Sequence, residues 1–466
     1  MKFVNRRYEL GYLEKEYNNR GAKFAVIYGR RRIGKTRLIE EFIKNKQSIY
    51  YLAAQEKDYQ QIQELKNIIA DFFNDKFLQN TSVKEWKQLF SYLKKIWPKK
   101  KRIIFAIDEI TYIIKENPSF PSYLQKFWDT FLSKTNTYLI LSGSMVGLIL
   151  KSVLSKESPL YGRRTSQIEL DEFSLNEAAE FMPEKDIEEK IKFYSVTGGV
   201  PKYLEFIQGH DSFDHFLLNN FFNKEGFFYK EGIFLISQEF NEPSTYIDIL
   251  KAISQGNTKL NKIGNFVGIE NKKISSYLNI LTNLNFVKRI IPVTANEKKF
   301  RGAFYMINDT FLTFWHRFVN PYRSLIEMRR QDEILKKAQN DINSHIGFEF
   351  EKICQQIIRK NYPLFKIGKW WGHHREKGKR KELEIDICAI DKEKKEILLG
   401  ECKWKDNCNY AKIFKELKKK ANYVDWNKNK RKEQYIIFAK SFKNKKILKK
   451  NKNIFLYDLE DIEEML

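Results

Sequence analysis

The stretch Gly29–Thr36 reads Gly-Arg-Arg-Arg-Ile-Gly-Lys-Thr, and it decides the fold of the first part of this 466-residue chain. The apolar run Phe24–Tyr28 precedes it, and a helical pattern over Arg37–Ile43 follows it. A G-x-x-x-x-G-K-T sequence between a buried strand and a helix is typical of a phosphate-binding loop. This order therefore predicts an α/β domain that binds ATP or GTP.

Each part of the loop has a role in holding phosphate. Gly29 and Gly34 allow backbone angles that turn successive N–H groups towards phosphate oxygens. The free N–H groups and the positive dipole end at the start of the next helix add to the same site. We expect Lys35 to reach the β- and γ-phosphates and the hydroxyl of Thr36 to bind Mg²⁺.

Polar residues follow two other apolar runs that indicate strands of the same sheet. The run Ile103–Ile107 ends in Asp108 and Glu109, an acidic pair of the kind called Walker B. We expect Asp108 to hold Mg²⁺ through water and Glu109 to polarise the attacking water. Ser142 follows the run Tyr138–Leu141, and it either senses the γ-phosphate or the water, or caps the next helix.

A loop and a helical stretch follow this predicted core. The loop Ser158–Arg164 presents two guanidinium groups, and Arg163 or Arg164 either stabilises transition-state charge as an arginine finger or belongs to a surface pair. The pattern is helical from Ser174 to about Phe222, and Gly198–Pro201 indicates a tight bend between two helices. We expect a small helical lid on the nucleotide core.

The segment from Asn241 to Val293 predicts a winged helix-turn-helix. Its helices are expected over Tyr246–Ile253, Lys262–Gly268 and Lys272–Leu281, and its wing over Phe286–Val293 and Ala303–Ile307. The exposed face of the third helix is expected to carry Lys272, Lys273, Ser276 and Asn279. Such a face enters the major groove of DNA in one class of winged helix, whereas other members of the fold bind only protein.

The last part of the chain predicts a second chemical site. After a helical connector from Phe311 to about Asn340, Gly347–Glu351 is expected at the front of a helix. A basic loop with His373-His374 follows Trp370-Trp371, and the loop is followed by two strands. We expect those strands over Glu384–Ile390 and Glu396–Trp404.

Charged residues interrupt these two apolar strands. Glu401 and Lys403 share one face of their strand because side chains alternate with period two, and Asp386 on the adjacent antiparallel strand is expected beside them. Asp386 and Glu401 would bind Mg²⁺, and Lys403 would position or activate the attacking water. Glu351 is a candidate third ligand. This D–spacer–E-x-K pattern indicates a nuclease core, because an apolar strand otherwise excludes charge.

Two other acidic residues lie close to Glu351 and Asp386 in the sequence. Glu349 and Glu384 are expected to face solvent or to play a secondary role.

The amino-acid composition indicates which binding partners and which cellular compartment to expect. The formal net charge of +25 favours a polyanion, either nucleic acid or an anionic membrane surface, although a lysine-rich proteome would also produce it. The lysine-rich segment Lys403–Lys452 fits either a solvated helix face or a DNA-backbone channel. No run approaches the roughly 18 apolar residues of a membrane span, the start has no apolar signal core, and the four cysteines form no C-x-x-C pair. We expect a cytoplasmic protein with reduced thiols.

The first part of the chain resembles the archaeal-type ATPase family, which is related to the AAA-like, signal-transducing P-loop ATPases. The resemblance is carried by Phe3–Leu10, Gly29–Thr36, Ile107–Glu109, Ser142–Ser144, Pro159–Arg163 and Gly198–Pro201, in that order. It implies ATP and Mg²⁺ as ligands and places the Asn5-Arg6 segment near the adenine. The nucleotide-contacting residues expected on this basis are Arg6, Gly29, Arg30, Arg31, Arg32, Ile33, Gly34, Lys35, Thr36, Arg37, Asp108, Ser142 and Arg163.

The last part resembles the uncharacterised domain that is fused to many such ATPases and is similar to the PD-(D/E)XK nuclease superfamily. The matching residues are Gly347, Glu351, Trp370-Trp371, Glu384–Asp386 and Gly400–Trp404. The Pro-Asp of the superfamily name is Ile385-Asp386 here. The resemblance implies a restriction-endonuclease-like α/β fold.

Together these patterns predict five parts. They are a P-loop ATPase core (1–173), a helical lid (174–238), a winged helix-turn-helix (239–310), a helical connector (311–340) and a nuclease-like α/β domain (341–466). The resulting hypothesis is an ATP-hydrolysing DNA-binding protein with a Mg²⁺-dependent nuclease. The alternatives are a nucleotide-driven switch that binds DNA or a protein partner through a catalytically silent nuclease fold, and an ATPase held at a membrane surface by charge. Assembly into a homo-oligomer would let Arg163 act on a neighbouring subunit.

Overall fold

The computed structural model describes residues 3–362, 365–376, 379–443, 445 and 453–466. The chain forms two compact units. The first consists of Met1–Glu172 with Val200–Lys202, and the second of Phe173–Gly199 with Tyr203–Leu466. Residues 377–378 of the predicted basic loop, and residues 444 and 446–452 of the lysine-rich segment, lie outside the described residues.

The first unit is built from five strands and eight α-helices among the described residues. The strands are β1 (Lys23–Tyr28), β2 (Ser48–Leu52), β3 (Ile103–Asp108), β4 (Thr137–Gly143) and β5 (Ser166–Glu169). The helices are α1 (Arg7–Asn18), α2 (Lys35–Ile43), α3 (Asp58–Phe73), α4 (Lys76–Asn80), α5 (Trp86–Ile96), α6 (Ile110–Glu116), α7 (Phe120–Thr130) and α8 (Val146–Ile149).

The five strands form one parallel sheet in the order β2-β3-β4-β1-β5. Helices cover both faces, so alternate side chains of a strand enter different cores. From β1, Phe24 and Val26 pack into one apolar cluster, while Ala25 and Ile27 pack into the other. All strand carboxyl ends of a parallel sheet lie at one edge, which is where such folds bind ligands. The predicted parallel α/β core is confirmed.

The second unit begins with a helical part. Its elements are α9 (Leu175–Ala179), α10 (Ile187–Thr197), α11 (Pro201–Glu205, which starts in the first unit), α12 (Phe213–Asn220), α13 (Glu231–Glu239), α14 (Ser244–Ser254), α15 (Leu260–Val267), α16 (Asn271–Asn283), β6 (Val287–Ile290), β7 (Phe304–Ile307), α17 (Thr310–Phe314), α18 (Arg323–Glu327) and α19 (Gln331–Asn361).

Helices α14, α15 and α16 precede an antiparallel hairpin of β6 and β7. Ile263, Ile274 and Leu278 are buried where the helices meet. The turn between α15 and α16 begins at Gly268, whose φ of 76° is in the left-handed region that glycine enters without strain. Helices and strands therefore lie where the sequence predicts them in this segment.

The end of the chain forms a five-stranded mixed sheet. Its elements are β8 (Lys366–Glu376), β9 (Lys379–Asp391), β10 (Glu396–Lys403), α20 (Tyr410–Ala421), β11 (Lys432–Ala439), β12 (Ile454–Tyr457) and α21 (Leu459–Met465). The order is β12-β11-β10-β9-β8, with β8, β9 and β10 antiparallel and β10, β11 and β12 parallel. Helix α20 provides the crossover that a parallel pair requires.

Two predictions about this end of the chain are wrong. His373 and His374 lie on strand β8 rather than in a loop, because residues 366–376 pair with β9 and Trp370 is buried in the sheet's core. Helix α19 starts at Gln331, so Gly347–Glu351 lies within a long helix rather than at its front. This helix also crosses the expected boundary between residues 340 and 341. The five-part division of the chain remains a prediction.

Within the described part of the chain, no helix is both long and apolar enough to span a membrane.

Candidate active sites

The loop between β1 and α2 has the backbone that close approach to phosphate requires. Gly29 has φ 155°, and a Cβ there would lie 2.5 Å from the carbonyl oxygen of Leu170. Gly34 has φ 92° and immediately precedes Lys35, the first residue of α2. Any other residue would be strained at Gly34 and would clash at Gly29. The N–H groups at the start of α2 are thus presented at the strand edge.

Lys35 lies under this loop and is 4% exposed. Its Nζ donates to the carbonyl oxygens of Gly29 and Arg30, at 3.0 Å each, and lies 3.9 Å from Oε1 of Glu109. The ammonium group is therefore held inside the loop, where it would meet the β- and γ-phosphates.

Asp108 is the centre of a hydrogen-bond network at the edge of the sheet. It is fully buried. Thr36 Oγ1 donates to its Oδ2 at 2.7 Å, and the Ser142 hydroxyl donates to its Oδ1. The structure therefore brings together the two predicted Mg²⁺ ligands, Thr36 and Asp108, and contacts them with Ser142. Carboxylate and hydroxyl oxygens are donors that suit Mg²⁺.

Tyr50 is a member of this network that the sequence reasoning missed. Its hydroxyl donates to Oδ2 of Asp108 at 3.0 Å. Burial and the charge of Asp108 raise the pKa of Tyr50 well above its usual value, so the phenol keeps its proton. Tyr50 lies in the apolar run that forms β2. In the sequence, only the alternation of side chains along that strand indicates the direction in which Tyr50 points.

Glu109 is held by the end of β4. Its Oε2 accepts from the backbone N–H of Ser144 at 3.0 Å and from the Ser144 hydroxyl at 2.7 Å. Its backbone has φ 53°, a conformation uncommon outside glycine and asparagine. Glu109 therefore occupies a defined position at the strand edge, between Ser144 and Lys35.

Two of the arginines expected near the nucleotide, Arg6 and Arg30, contact other residues of the protein. Arg6 is buried and donates to Glu9, to the carbonyl oxygen of Ile33 at 3.2 Å and to that of Asp171 at 2.6 Å, so it holds the first segment against the loop. Arg30 pairs with Glu172 at 2.9 Å. Arg31 and Arg37 are exposed, and Arg32 has φ 70°.

Arg163 does not contact the loop in this structure. Its guanidinium makes a bidentate pair with the carboxylate of Asp129, at 2.8 to 3.0 Å. The role of Arg163 as an arginine finger, in its own subunit or in a neighbouring one, remains a prediction.

A second cluster of charges lies at the junction of β9 and β10. The antiparallel register reaches Ile387 opposite Gly400, and the next residues are Asp386 and Glu401. The backbone N–H of Cys402 donates to Asp386 Oδ2 at 2.9 Å. Lys403 Nζ lies 2.6 Å from Glu401 Oε2 and 3.5 Å from Asp386 Oδ2. The three residues predicted as a nuclease core therefore share one face and touch.

Two lysines complete this cluster, and the sequence reasoning missed both. Lys420 on α20 lies 2.6 Å from the other oxygen of Glu401. Lys369 on β8 lies 2.6 Å from Glu351 and 3.1 Å from Glu384. Both lie in lysine-rich stretches of the sequence, and nothing there distinguishes them from the lysines around them.

Burial raises the pKa of two of these carboxyl groups. Burial raises the pKa of Glu351 to about 7, opposed by Lys369 and assisted by the charge of Asp386. Burial also raises the pKa of Glu401, with Asp386 acting in the same direction. Carboxylates that repel each other in a buried site are stabilised by a cation, and here ammonium groups supply it.

The oxygen donors of Glu351, Asp386 and Glu401 have the chemistry that Mg²⁺ requires. Within the ranges the structure describes, no three His, Cys, Asp or Glu side chains are arranged around a common metal position. Of the two residues expected to face solvent or to play a secondary role, Glu349 is buried, and Thr310 Oγ1 donates to it at 2.9 Å. Glu384 is exposed.

The predicted recognition face of α16 is open to solvent. Lys272, Lys273, Ser276 and Asn279 are all exposed, while Ile274 and Leu278 face the helical core.

Two parts of the chain match known protein families. Residues 3–207 match a family described as an ATPase domain predominantly from Archaea. Residues 315–421 match a family described as archaeal and bacterial proteins of unknown function.

Two similar proteins come from Methanocaldococcus jannaschii. The uncharacterized protein MJECL04 is 32% identical over 471 residues, which cover 98% of this chain and 99% of the relative. The uncharacterized ATP-binding protein MJ0423 is 52% identical over 44 residues, which cover 9% of this chain and 75% of that protein.

The chain is less similar to the solved structures that it matches. The Walker-type ATPase PABY2304 of Pyrococcus abyssi has a TM-score of 0.48 and 20% identity, covering 68% of this chain and 96% of its own. The Aeropyrum pernix ORC2 protein has a TM-score of 0.43 and 11% identity, covering 71% and 96%.

Proposed function

The chain belongs to the same family as MJECL04 and contains a nucleotide-binding ATPase domain of the archaeal type, and from that premise we propose that it hydrolyses ATP to act on DNA. The observation that supports hydrolysis is the network of Thr36, Asp108, Ser142, Tyr50 and Glu109 at the end of the parallel sheet. It places two oxygen donors and a second carboxylate beside a phosphate-binding loop.

In this proposal the residues have separate roles. The N–H groups after Gly29 and Gly34 hold the phosphates, and Lys35 neutralises charge on the β- and γ-phosphates. Thr36 and Asp108 would hold Mg²⁺, which supplies charge neutralisation on phosphate oxygens when bound. Glu109 accepts a hydrogen bond from water and orients it. Glu109→Gln should preserve ATP binding and greatly slow phosphate release; an unchanged rate would contradict this role.

We further propose that the end of the chain is a nuclease domain of the PD-(D/E)XK type. The observation that supports it is the buried contact of Asp386, Glu401 and Lys403, with Glu351 nearby. The carboxylate pair of Asp386 and Glu401 would hold Mg²⁺, which supplies Lewis acidity when bound. Lys403 donates hydrogen bonds, so it would position the attacking water and stabilise charge on the scissile phosphate.

DNA is the proposed partner of the middle of the second unit. The exposed face of α16 carries two lysines, a serine and an asparagine, and these are groups that contact phosphates and base edges. We propose that α14–α16 with the β6–β7 hairpin form a winged helix. The net charge of +25 would favour binding through phosphate contacts.

The decisive experiment uses purified full-length protein with supercoiled and linear DNA and Mg²⁺, with and without ATP. Cleavage that is lost in Glu401→Ala would support the metal nuclease, and its dependence on ATP would show whether the two sites are coupled. Binding to DNA without cleavage in any divalent metal would contradict the nuclease proposal.

A second candidate function has its own supporting observation. Both oxygens of Glu401 are already paired, one with Lys403 and one with Lys420. A site neutralised by lysines is stable without metal, and this favours a nucleotide-driven switch in which the nuclease fold is catalytically silent. Metal titration separates the two, because a silent site would bind neither Mg²⁺ nor Mn²⁺.

A further inference from the structure

A cleft of about 540 Å³ opens beside the second charge cluster, entirely within the second unit. Its walls come from α10, α19, the end of β10 with the turn after it, and the end of β11. The residues that carry the argument are Lys192, Phe348, Glu351, Lys403, Trp404 and Lys440. Glu351 and Lys403 place one end of the cleft at the proposed nuclease site.

We propose that this cleft binds one unpaired nucleotide of a DNA strand, with the base against Trp404 and Phe348 and its phosphate beside Lys403. This inference rests on the proposed nuclease function of the same site and names its substrate. The preferred DNA is then single-stranded, or has an unpaired end or flap.

The size and the aromatic lining support a base. A volume of about 540 Å³ lies in the range of sites that enclose a small molecule. Trp404 is half-buried and packs against Phe350 with ring centroids 5.1 Å apart, so its ring is held in place. Nucleobases of any sequence stack on such a ring, because every base has a π-face.

Cations lie over both aromatic rings. Lys440 Nζ is 5.4 Å from the ring centroid of Trp404, and Lys352 and Lys369 lie 4.8 Å and 5.4 Å from that of Phe348. These rings therefore meet charged groups rather than apolar packing alone. An aromatic surface beside ammonium groups is the combination that binds single-stranded nucleic acid.

An ion-pair network fixes one wall of the cleft. Lys440 lies 2.9 Å from Glu188 on α10 and 3.0 Å from Asp406 after β10, and Lys192 lies 2.7 Å from Glu188. Helix α10 is thus tied to the sheet that carries the charge cluster. A paired base within a duplex is covered by its neighbours on both faces, so only an unpaired or extruded base can stack on the ring of Trp404.

The test measures binding in metal-free buffer, so that cleavage does not interfere. Fluorescence anisotropy at fixed ionic strength compares a labelled oligothymidylate with a labelled duplex of the same length, using the full-length protein and an excess of unlabelled blunt duplex that occupies the proposed winged helix. We expect the single strand to bind about 10-fold more tightly or better, and Trp404→Ala to remove that advantage.

A pair of variants on α19 keeps the test decisive if Trp404→Ala fails to fold. Ser344 is exposed and lines the cleft, so Ser344→Trp should fill it and abolish the preference for the single strand. Gln339 is exposed on the same helix and is not part of the lining, so Gln339→Trp should leave the preference unchanged. Wild-type protein that prefers the duplex, or Ser344→Trp protein that keeps the preference, would overturn the inference.

Cleavage in Mg²⁺ is measured separately with Glu401→Ala as the control. Preference for the single strand without any cleavage supports the cleft and overturns only the nuclease. Cleavage that ignores the difference between strand and duplex overturns only the cleft.

Discussion

The hydroxyl of Tyr50 donates a hydrogen bond of 3.0 Å to Oδ2 of Asp108, the same oxygen that accepts from Thr36 at 2.7 Å. Tyr50 comes from β2 and Asp108 from β3, and the two strands are neighbours in the sheet. The carboxylate is thereby oriented by three hydroxyl groups before any ligand arrives. A partner such as Tyr50 sets the affinity of a metal site without touching the metal.

Removing this hydroxyl should weaken the proposed Mg²⁺ site. In Tyr50→Phe we expect the Mg²⁺ concentration for half-maximal ATP hydrolysis to rise about tenfold, because Asp108 loses one of its orienting donors. The adjacent Tyr51 provides a control, since its buried hydroxyl has no hydrogen-bond partner among the described residues. Tyr51→Phe should leave the Mg²⁺ dependence unchanged, and equal effects of both variants would refute the role of Tyr50.

Nucleotide binding should depend on Lys35. Lys35→Ala removes the one ammonium that the loop carbonyls of Gly29 and Arg30 hold in place, so we expect nucleotide binding to be lost in a calorimetric titration. Lys44 at the end of the same helix is a matched control with a side chain 67% exposed, and Lys44→Ala should bind normally. Unchanged affinity in Lys35→Ala would contradict the phosphate-loop assignment.

The two chemical sites should be separable by substitution. Asp386→Asn and Lys403→Ala each remove a member of the charge cluster in the second unit, so we expect DNA cleavage to fall below detection in both. ATP hydrolysis should continue, because the phosphate-binding loop belongs to the first unit. Full nuclease activity in both variants would eliminate this cluster as the cleavage site.

Lys420 should stabilise the protein only while the cluster lacks metal. Glu401 is 5% exposed and pairs with both Lys403 and Lys420. In Lys420→Ala we expect the free energy of unfolding to fall by about 1–3 kcal/mol, because a buried carboxylate loses a charged partner. Mg²⁺ should restore part of this loss. The exposed neighbour Lys419 is the control, and a similar loss in Lys419→Ala would argue against a specific pair.

The free energy of unfolding should fall in mild acid because His316 is buried. Burial lowers the pKa of His316 from 6.5 to about 3, and neither ring nitrogen has a hydrogen-bond partner within the described residues. The unfolded chain binds a proton below pH 6.5 and the folded chain does not, so this contribution is complete above pH 6.5 and is lost progressively towards pH 3.

The measurement compares urea unfolding of wild-type and variant protein across that range. Between pH 6.5 and pH 5, His316→Phe should lose about 1.6 kcal/mol less stability than wild type, because the slope approaches about 1.4 kcal/mol per pH unit only below pH 6.5. The exposed His215 is the control, and His215→Phe should follow the wild-type curve. Parallel curves for His316→Phe and wild type would exclude this explanation.

Much of both sites was predictable because local rules govern them. A phosphate-binding loop needs glycine at two fixed positions, so Gly29 and Gly34 identify it from sequence. Parallel strands bring their carboxyl ends to one edge, which is why Thr36 and Asp108 meet. Side chains alternate along a strand, and this places Glu401 beside Lys403.

Contacts between distant segments were decided only by the tertiary structure. Tyr50, Lys369 and Lys420 look like ordinary members of an apolar run or a lysine-rich stretch, and only packing selects them from their neighbours. Arg163 and Asp129 are 34 residues apart in the sequence, and only the fold brings their side chains together. Sequence patterns fix what a residue can do locally, whereas its partner depends on how separate elements pack.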